Sequence, residues 1–385
     1  MAPRLSAIIL AAGFSSRMGE LKALLPLGGR TVLEQCLSLF QDCGIDDLVV
    51  VTGHRADEVS VIANRAGAIP IHNPDFADGM FSSIRTGVAH LAGRCEGFFL
   101  LPVDIPLVRR GTITLLTHSF AQRPAAILYP AFAGRRGHPP LLHRDLSDLI
   151  YAHPQPEGGL RTLLARVECE QPEHVREVQV ADANIHIDLD TPEDYRAACL
   201  AFTRRDITTM AECQAVIDHI HPIPDKGLAH GRRVAEVAVA LCQAVNGNGT
   251  RLLDPELCRV SGWLHDIAKG HPCHEEEGAR WLSVLGIDRI AAVVAAHRDL
   301  DWTQSMAISE REIVHLADKL VRGSRLVPVD ARFEEKLAYF AHDPQAVRAI
   351  RGRRAMARRL AVAVEHEAGR SLDSILAKEY GACAP

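Results

Sequence analysis

No run of apolar residues in this 385-residue chain approaches the roughly 18 that a membrane-spanning helix needs. The opening Met1-Ala2-Pro3-Arg4 leads into a strand pattern and not into the apolar centre of a signal peptide, so a cytoplasmic protein with no membrane partner is expected. The ten cysteines contain no C-x-x-C pair, which argues against a zinc ribbon and a disulfide framework and leaves them as reduced, half-buried fillers. Positive charge is not in excess, with 43 Lys and Arg against 48 Asp and Glu. Aromatic residues make up only 5%. A polyanion-binding surface is therefore not expected, and the arginine-rich stretch Arg348 to Arg359 reads as a solvated helix face, not as a nucleic-acid contact. No sequence repeat points to a solenoid, and no Pro/Gly/Ser tract marks a linker.

What is present is enough for sizeable cores: 47% hydrophobic and 24% charged residues. At about 150 residues per domain the length implies two domains. From Ala7 to about Tyr129, short apolar runs alternate with segments of helical period, the runs falling at Leu48 to Thr52, Ala68 to Ile71, Gly97 to Leu101 and Ala125 to Tyr129. That rhythm predicts βα units and a doubly wound, mainly parallel α/β sheet, whose ligands bind beyond the carboxyl ends of its strands. Helix Thr31 to Cys43 shows an apolar stripe and ends near Gly44.

Behind the first strand stands Leu10-Ala11-Ala12-Gly13-Phe14-Ser15-Ser16-Arg17-Met18-Gly19-Glu20-Leu21-Lys22. Glycines that let backbone amides close on phosphate oxygens, with Arg17 and Lys22 supplying positive charge, make it a candidate phosphate-binding loop. It lacks the G-x-G-x-x-G and Gly-Lys-Ser/Thr spacings of the Rossmann and P-loop motifs. Four later loops follow strands or precede helices. Thr52-Gly53-His54 is one, and in Asn73 to Arg85 the pair Ser82 and Ser83 either caps a helix or hydrogen-bonds a base or ribose. Asp104, between Pro102 and Pro106, is placed to hold a hard cation. In Asp188-Leu189-Asp190-Thr191-Pro192-Glu193-Asp194, Asp190 or Thr191 caps a helix and Asp188 can complete the metal site.

Together with Gly137-His138-Pro139, these segments resemble the molybdenum cofactor cytidylyltransferases of the nucleotidyltransferase family over residues 5 to 200. Ala11-Ala12-Gly13 resembles the CTP-using branch. The resemblance implies attack by the terminal phosphate of molybdopterin on the α-phosphorus of CTP, with pyrophosphate leaving. It implies that Leu10, Ala11, Ala12, Gly13, Thr52, Gly53, Ser82, Ser83 and Asp104 lie around the nucleotide, and that Arg17 and Lys22 offset charge. It also implies that Asp104 and Asp188 hold Mg²⁺ and that His138 faces the pterin. A molybdenum hydroxylase is the implied recipient of the product. Glu157-Gly158-Gly159-Leu160-Arg161 departs from the usual Gly-Asp-x-Gly-like segment there. Another phosphorylated acceptor, such as a sugar phosphate, remains open.

Beyond Tyr195 the alternation stops, and residues 203–385 read as an all-α domain after a domain spanning 1–202. Predicted helices include Gly231 to Val245, Pro255 to Lys269, Glu275 to Leu285, Ile287 to His297, Ser309 to Val321 and Pro344 to Glu367. Across them lie His230, His265, Asp266, His274, His297 and Asp318, a set of imidazoles and carboxylates suited to first-row divalent metals. Lys269, one predicted helical turn from His265 and Asp266, is placed to meet a phosphate. His219, His221 and Asp225 read as shaping the approach to that set. His230, His265-Asp266-x-x-Lys269 and Asp318 resemble the HD superfamily of metal-dependent phosphohydrolases over about Ile217 to Arg325. His274 and His297 stand where two-metal members carry extra histidines, which implies two ions, Mn²⁺ or Fe²⁺, and hydrolysis of a phosphoester of unspecified kind. A nucleotide-sensing role that regulates the transferase is the alternative.

Overall fold

The computed structural model describes residues 3–91, 93–153, 157–249 and 252–381. The chain forms two compact units, Met1–Arg205 and Asp206–Pro385.

The first unit is built on strand β1 (Leu5–Ala11), every residue of which is buried. A strand covered on both faces must be apolar throughout, as Ala7-Ile8-Ile9-Leu10 is, and each such side chain contributes about 1.5–3 kcal/mol of burial. The strands that follow are β2 (Asp47–Thr52), β3 (Ile69–His72), β4 (Gly97–Pro102), β5 (Ile127–Phe132), β6 (Leu141–His143) and β7 (Val175–Gln179). Their order across the sheet is β7-β5-β6-β4-β1-β2-β3. Pairing is parallel except at β6, which runs antiparallel to β4 and β5, and at a two-residue strand, Arg135–Arg136, which pairs antiparallel with β5. Only three residues long between Pro140 and Arg144, β6 carries too little pattern to register in the sequence.

Helices α1 (Val32–Gln41), α2 (Ala56–Arg65), α3 (Met80–Leu91), α4 (Arg110–Gln122), α5 (Asp145–Ala152), α6 (Gly159–Glu170) and α7 (Pro192–Phe202) complete the unit. α1 is shorter than predicted because Thr31 is its cap: the Thr31 hydroxyl accepts from Glu34 N–H while the Glu34 carboxylate accepts from Thr31 N–H. α3 lies close on the sheet, since a Cβ on Gly87 would stand 2.7 Å from the Ile8 side chain. Chain order reverses at β1, whose neighbours are β2 and β4, so the loops after β1 and β4 flank the crevice where such sheets take ligands.

The second unit is helical, with α8 (Met210–Ala215), α9 (Asp225–Gly247), α10 (Pro255–Leu264), α11 (His274–Val284), α12 (Asp288–Ala295), α13 (Glu310–Lys319), α14 (Val329–Tyr339) and α15 (Pro344–Ala368). A two-residue antiparallel hairpin, Val321–Arg322 with Arg325–Leu326, interrupts the all-α expectation. Two boundaries also differ. α9 begins six residues before Gly231, so His230 sits inside the helix; Gly227 and Gly231 had masked its helical period. α10 stops at Leu264, and residues 265–268 continue as turns closed by three-residue hydrogen bonds, Ile267 N–H to Leu264 and Lys269 N–H to Asp266. Lys269 is therefore not on a helix. Among the described residues no helix is long and apolar enough to cross a membrane. The described cysteines are all free. Three arginines of the basic stretch of α15 are ion-paired within the unit, Arg353 with Asp299 and both Arg354 and Arg358 with Asp330.

In the first unit the segment that returns to the crevice is anchored by Asp182, which is 2% exposed. Its carboxylate accepts from Arg109 N–H at 2.8 Å, the Thr112 hydroxyl at 2.8 Å and the Asn184 amide nitrogen at 2.9 Å. It also lies 3.5 Å from the buried Arg109 guanidinium. Removing one member of such a pair strands a buried charge, so Asp182→Ala is expected to destabilise this unit by about 3–5 kcal/mol, read from its urea unfolding transition.

Candidate functional site

In the first unit the β1 loop is held by local bonds. Ser15, at a left-handed φ of 54°, takes the N–H groups of Met18 and Gly19 on its carbonyl and that of Lys22 on its hydroxyl. Leu10 and Ala12 carbonyls accept from Val103 and His54 N–H, which ties the loop to the ends of β4 and β2. The result is a cavity of about 320 Å³ lined by Leu10, Ala11, Ala12, Gly13, Lys22 and Asp104, with Phe14, Phe76 and Ser83. Thr52 and Gly53 stand behind its wall. Thr52 is 1% exposed, and a Cβ on Gly53 would meet the Ala12 carbonyl and the Phe76 side chain at 2.7 Å. Ser82 and Ser83 do not cap α3; both hydroxyls are engaged by the Asn73 amide, at 2.8 and 3.0 Å.

The Lys22 ammonium lies between two carboxylates, 3.1 Å from Asp104 Oδ2 and 2.8 Å from Asp190 Oδ1. Burial alone would lower the Lys22 pKa, but the Asp190 and Asp104 bonds outweigh it and raise it above the usual lysine value. The same bond to Lys22 holds Asp190 below the usual carboxylate range. Arg17 is exposed and donates to Asp190 Oδ2 at 2.9 Å. Thr191, not Asp190, caps α7, in a capping box with Asp194. Asp190 is thus the site residue that sequence reasoning assigned to a capping role, although its place two residues after Asp188 was a signal. Phe14 and Phe76, with ring centroids 5.0 Å apart at the cavity mouth, were missed because an aromatic in a loop carries no periodicity.

Asp188 is exposed, and the N–H of its neighbour Leu189 donates to the Asp104 carbonyl at 2.9 Å. Asp104 and Asp188 both act electrostatically on His138, yet burial prevails and lowers the His138 pKa. His138 Nδ1 is buried with no hydrogen-bond partner. His138 lines a second and larger cavity, about 890 Å³, with Tyr129, Arg136 and the Glu157-Gly158-Gly159-Leu160-Arg161 segment. The two cavities share Leu10, Met80 and Pro102 as a common wall. They stand side by side with Asp104 at the border of the smaller one.

In the second unit all six predicted residues come together. α9 and α10 cross with almost no space between backbones: a Cβ on Gly231 would lie 2.7 Å from the Trp263 carbonyl oxygen, and one on Gly262 would lie 2.6 Å from Ala235 Cα. That approach brings His230 beside His265, with ring centroids 5.1 Å apart. Asp266 Oδ2 stands 3.5 Å from His265 Nε2 and 3.8 Å from His230 Nε2. Its Oδ1 stands 3.5 Å from His274 Nε2 and 3.7 Å from His297 Nε2. Asp318 Oδ1 lies 3.2 Å from His230 Nε2 and 3.7 Å from His265 Nε2. One carboxylate therefore faces two histidine pairs, and two donor groups result, His230 with His265 and Asp266, and Asp266 with His274 and His297.

The imidazoles are oriented from behind. His230 donates through Nδ1 to the Gly323 carbonyl of the hairpin at 2.9 Å, His265 to Gly262 at 2.8 Å and His297 to Val294 at 2.6 Å. Each Nε2 is then left to face the carboxylates, the arrangement of metal-bound histidines. His265 Nε2 is fully buried and has no hydrogen-bond partner, which a divalent ion would satisfy. Burial would lower the His265 pKa, but Asp318 and Asp266 overcome it and raise it. His297 is pushed down to about 4 by burial and by the charge of His265, so it is a neutral donor at pH 7. Lys269 reaches Asp266 Oδ2, and the remaining polar partners of Asp318 are Lys319 and Arg332. His221 stacks on Trp281, with ring centroids 4.3 Å apart.

A family model described as MobA-like NTP transferase domain matches residues 7–175, and one described as HD domain matches residues 227–323. The molybdenum cofactor cytidylyltransferase of Escherichia coli (strain K12) is 31% identical over 198 residues, 51% of this chain and 96% of that protein. The nicotine blue oxidoreductase of Paenarthrobacter nicotinovorans is 30% identical over 200 residues, 50% of this chain and 94% of that protein. A solved structure of a nucleotidyl transferase from Methanothermobacter thermautotroptrophicus is 25% identical with a TM-score of 0.44, covering 52% of this chain and 98% of that one.

Purified protein is expected to carry up to two divalent ions per chain by elemental analysis. Asp266→Ala should lose both and His297→Ala one, because only Asp266 faces both histidine pairs. Gly231→Ala, which touches no ligand, should also lower occupancy by forcing α9 from α10, with about 1–3 kcal/mol of destabilisation.

Proposed function

We propose a function for a chain that belongs to the MobA-like NTP transferase family in its first half and carries an HD domain in its second. The first unit transfers a cytidylyl group from CTP to the terminal phosphate of molybdopterin. A phosphate oxygen of the acceptor bonds to the α-phosphorus, the α–β bridging bond breaks, and pyrophosphate departs. Such transfer needs alignment and charge neutralisation more than a protein base.

The observation that carries this reading is the Lys22 ammonium between Asp104 and Asp190, in the smaller of two cavities that have a common wall. The smaller cavity takes the nucleotide, with backbone around Gly13 against the triphosphate and Phe14 and Phe76 at its mouth. The larger takes the acceptor, with His138, Arg136 and Arg161 as its polar groups. Asp104 and Asp188 would hold Mg²⁺, which suits one or two carboxylates plus substrate phosphates and would draw charge from the reacting phosphate. Arg17 and Lys22 neutralise the departing pyrophosphate, and triphosphate oxygens take over the place Asp190 holds against Lys22. Cytosine is favoured by Ala11-Ala12-Gly13 and by the name of the 31% relative. A molybdenum hydroxylase is the consumer of the product.

The HD domain hydrolyses a phosphoester. Metal ions held by His230, His265, His274, His297, Asp266 and Asp318 would supply an acidified water there. Lys269 stands at the rim to meet the phosphate.

Pyrophosphate release is expected from CTP and molybdopterin together and from neither alone. Release with GTP only would move the base assignment, and none with any NTP would refute transfer and favour the redox chemistry named for the 30% relative. Asp104→Ala should lower turnover by about 10²-fold or more, while Lys22→Ala should leave a folded, slower enzyme by circular dichroism and rate.

A further inference from the structure

The cavity beside Asp266 is small and cationic. At about 200 Å³ it falls below the roughly 300–1,000 Å³ that drug-sized ligands occupy. Its wall carries Lys269, Arg298, Lys319, Arg332, Lys336 and Arg353, against the carboxylates of Asp266 and Asp318. Arg298 and Arg353 draw partial compensation from Glu275 and Asp299, outside the wall. Lys336 has no ion-pair partner among the described residues, and desolvation by burial, with the charges of Arg332 and Lys319, lowers its pKa. Besides the imidazoles of His274 and His297, which belong to the ligand set, the wall's one ring is Phe333, buried at 3% exposure, so no open aromatic face is left for a base. The neighbouring hollow of about 480 Å³ shares Arg298 and Arg353, but Asp299 and Asp301 line it and repel further phosphate. An occupant that balances this wall is compact, carries several negative charges and has no base.

We propose that this cavity takes inorganic pyrophosphate and that the HD domain cleaves it to two phosphates. The inference rests on the transfer reading for its source: pyrophosphate is what the first unit releases. A water oxygen bonds to one phosphorus, the bridging P–O bond breaks, and the departing phosphate takes a water proton, so that the pyrophosphate tetraanion and water give two hydrogen phosphate dianions. Lys336 and Arg353 hold the phosphate far from Asp266, and the chemistry falls on the near one. Nucleotidyl transfer exchanges one phosphoanhydride for another and is readily reversed; removal of pyrophosphate makes it run forward. Fusion of the two activities in one chain then has a chemical reason.

The test uses the full chain with added pyrophosphate and no CTP. In the presence of Mn²⁺, two phosphates per pyrophosphate are expected, with CTP, CMP and p-nitrophenyl phosphate cleaved at least about ten-fold more slowly. Cleavage of one of those with pyrophosphate left intact overturns the proposal. A second readout needs no turnover: calorimetric titration of imidodiphosphate into the Mn²⁺-loaded full chain, where Lys336→Gln should weaken binding about ten-fold and Lys336→Glu more. Unchanged affinity in both variants overturns the site. A chain that cleaves pyrophosphate but transfers no nucleotide would refute the transfer reading and the proposed source while upholding the site.

Discussion

The Lys22 ammonium shared by Asp104 and Asp190 is the interaction on which the first unit's site depends. It joins three stretches far apart in sequence: the glycine loop after β1, the turn after β4 and the approach to α7. Each is fixed independently, the loop through Ser15 and the return segment through Asp182 and the Leu189 bond to Asp104. The charges therefore meet because the scaffold brings them, and the ion pairs need not hold the fold together. That matters for function, since a lysine whose carboxylate partner is exposed can trade it for phosphate oxygens at small cost. Asp190, more exposed than Lys22, is such a partner.

The second unit solves a different problem. Four imidazoles and two carboxylates gathered in a buried space cost solvation, which Lys269, Lys319 and Arg332 offset in part and a divalent ion among them would offset further. Asp266 makes one cluster serve as two donor groups, because its two oxygens face opposite histidine pairs. Glycines at the α9–α10 crossing permit the approach, and carbonyls behind the rings fix which nitrogen faces the centre. The turns after Leu264 have a similar purpose. Had α10 continued through Lys269, successive residues would rotate by about 100° and the His265-Asp266 pair would be set by helical geometry alone. Ending the helix frees that pair to meet residues from α9, α11 and α13.

Charge is placed differently around the two sites. The transferase cavities are largely apolar, with few polar groups at their common border, as suits recognition of a base and a second organic substrate. The HD cavity is small and walled by cations, as suits an anion with little else to recognise. Two arginines of α15 that do not face the cavity, Arg354 and Arg358, are instead paired with Asp330 of α14.

The sequence alone determined the βα rhythm, the helical second half, the loop from Leu10 to Lys22 and the six His and Asp residues that gather in the second unit. Apolar periodicity and glycine positions are local properties, and motif spacing survives in the chain as written. What only tertiary structure decided were relations between distant residues. Strand β6 is too short to carry a period, and the glycines of α9 weakened its helical signal although they serve the crossing with α10. Asp190 looked like a cap because capping is judged from neighbours, while its pairing with Lys22 spans 168 residues. The bonds from the Asn73 amide to the Ser82 and Ser83 hydroxyls likewise span nine and ten residues. The division of Asp266 between two histidine pairs, and the excess of positive charge facing it, depend on where helices cross, and a crossing is set by packing that no single stretch of sequence contains.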